Sequence, residues 1–110
     1  MGFAMEMREL LEGRMASAVK DEVAMIMKVV EADYQLRRQK AKCWNGIGSI
    51  PMPILQGYVV DLQNASVCVY FENWYPTQLA ELNRVDFGLL QKRLLARGWC
   101  QDNSGRLWLT

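Results

Sequence analysis

The chain contains no histidine. That absence removes Ser/His and Cys/His nucleophile pairs and the commonest metal ligand. Cysteine is scarce: Cys43, Cys68 and Cys100 stand 25 and 32 residues apart with no C-x-x-C pair. An odd number at such spacing gives neither a complete disulfide framework nor a zinc motif, and a reducing, cytoplasmic setting is expected. Long apolar runs are missing too. The longest uncharged stretch, Cys43 to Val60, carries three glycines and two prolines, whereas a membrane span needs about 20 helical apolar residues. The opening MGFAMEMREL has no basic segment followed by an apolar one, so no signal peptide is expected. Nor is there an excess of one charge: 13 Lys+Arg against 12 Asp+Glu leave +1, far from the bulk basicity of nucleic-acid domains. These absences predict a protein with no catalytic residues, no metal, no cofactor and no membrane association.

What is present is an ordinary globular composition, with 51% hydrophobic residues in 110, enough for one modest core spanning the whole chain as a single domain. The near-zero charge is a cancellation. Residues 1–36 carry a net −3, residues 37–42 a net +4, residues 43–83 a net −3 with no Lys or Arg, and residues 84–110 a net +3. Both basic clusters fall late in predicted helices, where the macrodipole favours cations; either could also meet an anionic partner on its own.

Glu6 to Lys42 reads as helix: it has no proline, and its apolar residues recur at helical spacing, with Gly13 a point where it could break. At 100° per residue Val19, Val23, Ile26, Val30 and Tyr34 form one stripe, the expected core face. A second stripe of Ala18, Met25, Val29, Ala32 and Leu36 lies more than about 100° away. Including Glu22, its spacing alternates four and three, the pattern of a helix-pairing seam. Such a helix is either covered on both sides within its own domain or meets a second subunit. In so small a chain few elements are left to cover two faces, so these residues are candidates for a homodimer interface.

After Cys43 the glycines and prolines of Trp44–Pro53 mark a loop. Gly46 and Gly48 lack the Lys and Ser/Thr of a phosphate loop and read as turn formers. Tyr58–Leu62 and Ser66–Phe71 are β-rich runs separated by Gln63, Asn64 and Ala65, a hairpin with one apolar and one mixed face. Thr77 could cap a short helix through Asn83. A better helix follows, with Asp86 as N-cap, Phe87, Leu90 and Leu94 buried, and Gly98 as the stop. Trp99–Gln101 and Arg106–Leu109 flank the polar turn Asp102–Gly105 as a second hairpin. The predicted fold is therefore α+β: a long N-terminal helix, a β-hairpin, a second helix and a C-terminal β-hairpin, with the helices packed on one face of a small antiparallel sheet.

The carboxylates Glu22 and Asp33 stand about 16 Å apart along one helix, too far for joint acid/base work, and are expected to be solvated. Three binding functions stay open. The first is a regulatory protein that acts through protein–protein contacts as a homodimer. The second is a winged-helix-like nucleic-acid binder in which Lys92, Arg93 and Arg97 project from the second helix and Arg106 from the wing. The third is a binder of a small apolar ligand in a pocket lined by Trp44, Met52, Trp74, Trp99 and Trp108.

Overall fold

The computed structural model describes the backbone of residues 2–43 and 54–110, and the side chains of residue 10 and of residues 13–39 and 54–110. The Trp44–Pro53 loop, with Trp44, Met52 and the Gly46/Gly48 pair, lies outside the described residues.

Helix α1 runs unbroken over Gly2–Cys43. Gly13 does not divide it. One glycine costs a helix about 1 kcal/mol relative to alanine, and the turns formed on either side sustain the helix through it. Val19, Val23, Ile26 and Val30 are buried along one face, as their spacing predicts. Tyr34 is not; it is 42% exposed. Past Val30 the helix meets the sheet through Asp33 and Arg37 instead. Asp33 accepts from the Tyr58 hydroxyl at 2.9 Å, and the Arg37 guanidinium lies 4.5 Å from the Phe71 ring centroid. The long axis of the molecule is 72 Å against 28 and 21 Å for the others. About 25 Å of helix, at 1.5 Å per residue, precedes the first core residue, Val19.

The sheet has five antiparallel strands in the order β3-β2-β1-β5-β4: β1 Leu55–Asp61, β2 Ser66–Phe71, β3 Thr77–Glu81, β4 Cys100–Gln101 and β5 Leu107–Leu109. The first hairpin closes where expected. The Asp61 carboxylate accepts from the backbone N–H groups of Gln63 and Asn64, and Ala65 takes a left-handed φ of 49° to turn the chain. The two hairpins join edge to edge, because β1 pairs with β5 in the register Tyr58↔Leu109, Val59↔Trp108, Val60↔Leu107. At this seam the strands come too close for a side chain at Gly57, where a Cβ would stand 2.9 Å from the Leu109 carbonyl oxygen.

Strand β3 corrects the reading of Thr77–Asn83 as a helix. TQLAELN holds good helix formers, but over five residues that preference sums to little and tertiary pairing decides. Here β2 offers an open edge, and Thr77 to Glu81 fill it. Helix α2 then spans Phe87–Ala96, with Asp86 as N-cap accepting from the Leu89 N–H at 3.1 Å and Gly98 in a left-handed conformation after it. Leu90 and Leu94 are fully buried and Phe87 half-buried. One contiguous cluster joins the α1 stripe, Tyr58, Val60, Val67, Val69, Phe71 and Leu107 of the sheet, and Leu90, Leu94 and Trp99. Both helices therefore lie on the same sheet face, the predicted α+β arrangement. Among the described residues, no helix is long and apolar enough to cross a membrane.

Candidate functional site

Where α1 and α2 lie side by side they leave an open groove of about 430 Å³ lined by Lys20, Val23, Leu89, Lys92, Arg93, Ala96 and Arg97. It continues past Leu89 and Lys92 into a second depression of about 340 Å³ against Met15, Asp86 and Gly88. The floor is apolar and the rim is cationic. Along α2 and its C-cap the residues come one helical turn apart: Leu89, then Lys92 and Arg93, then Ala96 and Arg97, so a flank of the helix beside the buried Leu90 and Leu94 borders the groove. Three of the four cations, Lys92, Arg93 and Arg97, are sequence candidates. Lys20 comes from α1, about 70 residues away in the chain, and periodicity alone gave no reason to group it with them. Among the described residues none of the four has a carboxylate within salt-bridge distance; the two ion pairs are Arg37–Asp33 and Arg106–Asp102.

Arg106, the fourth basic candidate, is elsewhere. It sits with Trp108 on the sheet face that the helices leave uncovered. Its guanidinium donates to the Tyr70 hydroxyl at 3.0 Å, and the Tyr70 and Trp108 rings are 4.9 Å apart. The Trp108 indole N–H donates to Asp102 at 2.8 Å, and that bond, with others from Ser104 and the Arg106 N–H, holds the Asp102 carboxyl down at about 2. A carboxylate with a depressed pKa stabilises the fold above its ordinary range, near 4, and loses that contribution as pH falls through its folded value. The expected result is an acid transition at Trp108, read by indole fluorescence or its N–H resonance, with a midpoint near pH 2. Asp102→Asn should abolish it, and a midpoint near 4 would mean the bond is absent in solution.

The basic candidates therefore do not form one surface, and because Thr77–Glu81 is a strand, the helix-turn-helix order behind the winged-helix reading is missing. The pocket candidates are dispersed as well. Trp74 is 55% exposed after β2, Trp99 is buried in the helix-side core with its indole N–H unpartnered, and Trp108 is on the opposite face. None of these three lines the groove or the depression that continues it.

Two carboxylates expected in solvent are buried. Glu22 is 2% exposed and accepts from the Asn83 backbone N–H at 2.9 Å and its side-chain amide at 3.0 Å. Asp33 binds Tyr58 and Arg37. The Tyr58 hydroxyl is pushed well above its ordinary range, first by burial and then by Asp33. Both acids are thus occupied in holding elements together.

The dimer candidates divide. Ala18, Ala32 and Leu36 are exposed, while Val29 is half-buried and Met25 packs on the core. The exposed residues continue toward the N-terminus in Met15 and Leu10. Comparison of the chain with family models, with curated proteins and with solved structures finds no match.

Proposed function

We propose that this is a non-catalytic binding protein that acts through protein–protein contacts and forms a homodimer along α1. One observation carries the reading: an apolar stripe of α1 is left outside the core. Leu10, Met15 and Leu36 are 60%, 46% and 47% exposed. With Ala18, Met25, Val29 and Ala32 they fall within a sector about 140° wide, centred roughly 120° from the core face. From Met15 to Leu36 the spacing alternates three and four, as in helices that pair lengthwise; within it Glu22 is buried against Asn83 and Met25 packs on the core, so the free positions are Met15, Ala18, Ala32 and Leu36 with half-buried Val29. A regulatory role and a cytoplasmic setting belong to the same proposal; Cys68 and Cys100 are free thiols, in keeping with a reducing compartment.

Light scattering at micromolar concentration tests it. The expected result is a dimer that Met15→Glu with Leu36→Glu converts to a monomer, its thermal unfolding otherwise unchanged. These positions are better probes than Met25 and Val29, since a charge at Met25 would also disturb the core. A wild-type monomer at every accessible concentration would remove the reading.

A further inference from the structure

We infer that the α1/α2 groove is a docking site for an acidic amphipathic helix of a partner protein, one whose apolar edge enters the groove floor between two rows of carboxylates. This goes beyond self-association and does not depend on it: the groove is built from Lys20 and Val23 of α1 against α2, and it shares with the exposed stripe only Met15, in the continuing depression.

The charge is the first ground. Four cations line one groove in a protein whose net charge is +1, and none has an ion-pair partner among the described residues. The α2 macrodipole explains a preference for Arg93 and Arg97 near the helix end. It does not explain Lys20, which belongs to another helix, nor its placement across the groove from them. Uncompensated cations on both walls of a cleft raise the local concentration of an anionic partner and disfavour a basic one.

The floor decides which anion. Met15, Leu89, Val23 and Ala96 give it apolar surface along the length of α2, and α2 has 10 residues, about 15 Å. A nucleic-acid backbone would span the cations but leave this apolar floor wet. A small ligand would be poorly enclosed in so open a trough. A helix meets both demands. Apolar residues at i, i+3 and i+4 enter the floor, and Glu or Asp on the flanks meet Lys20 on one wall and Lys92, Arg93 and Arg97 on the other.

Fluorescence anisotropy tests this with a labelled helical peptide of about 18 residues, leucine at helical spacing and glutamate on both flanks. The controls are a polyglutamate of equal charge and a DNA duplex of about 20 base pairs. Expected are binding in the micromolar range and a loss of at least about tenfold for Arg93→Glu with Arg97→Glu. Both positions are exposed, and circular dichroism should report an unchanged fold. Replacing the peptide leucines by serine should weaken binding at least as much. The inference is overturned if the duplex binds more tightly than the peptide, if polyglutamate binds equally well, if charge reversal leaves the affinity unchanged, or if the peptide fails to bind at about 100 µM.

Discussion

Replacing Glu22 by alanine should lower the unfolding free energy by about 3 kcal/mol, since hydrogen bonds to a charged group are each worth roughly 1.5–3 kcal/mol and this carboxylate accepts two. For a domain near 100 residues that is a fall in melting temperature of roughly 10–20 °C. Helix propensity offsets little, because Glu and Ala are both good helix formers. The size of the effect follows from position. Glu22 is buried on α1, and its two donors are the backbone and side-chain amides of Asn83, just after β3 and four residues before α2 begins. It fixes where the chain leaves the sheet to start the second helix. Glu22→Gln keeps one acceptor oxygen, and about half the loss is expected. A loss under about 1 kcal/mol for alanine would mean that the Asn83 contact contributes nothing in solution. A second readout separates local from global damage. The groove cations Lys92, Arg93 and Arg97 ride on α2, so a shifted α2 should weaken the acidic peptide at temperatures where the variant is still folded.

Glu22 also marks the boundary of what the residue order makes legible. Short-range chemistry was readable: the 3.6-residue recurrence of Val19, Val23, Ile26 and Val30, the Asp86 cap, the Gly98 stop and the alternation along β1 and β2 all arise from interactions within a few residues. Tyr34 continues the same recurrence but is exposed, because Asp33 and Arg37 make the polar contacts with Tyr58 and Phe71 at that end. Thr77–Glu81 misled for the complementary reason. Its helix-forming Leu, Ala and Glu are overruled by pairing with β2, a contact set by the sheet edge rather than by the segment itself. The site divides in the same way. Lys92, Arg93 and Arg97 were legible as one face of one helix, but the other wall is Lys20, and nothing local connects them. Arg106 shares their charge yet lies across the sheet, since whether a strand residue faces the helices or the open side depends on a register that charge does not encode.

Ile26→Ala should cost about 3–4 kcal/mol, the middle of the range for removing a large aliphatic side chain from a core. Ile26 is fully buried, one of the four α1 residues of the core cluster. The void cannot be filled cheaply: Val23 and Val30 are β-branched and held in a helix, where their side chains have one favoured rotamer, and Val60, Val67 and Val69 of the same cluster are set by strand register. Ile26→Val, which removes one methylene, should cost about 1 kcal/mol. Because Ile26 and Leu94 belong to one contiguous cluster, Leu94→Ala on the other helix should lower the same transition by a similar amount. Far-ultraviolet circular dichroism, which reports the helices, and tryptophan fluorescence, to which the buried Trp99 contributes, should shift together in both variants. If Ile26→Ala instead melts part of the helical signal while the tryptophan transition stays in place, α1 would be a separately unfolding element. The groove would then have only one fixed wall, since Lys20 and Val23 are carried by the same stretch of α1 that Ile26 anchors.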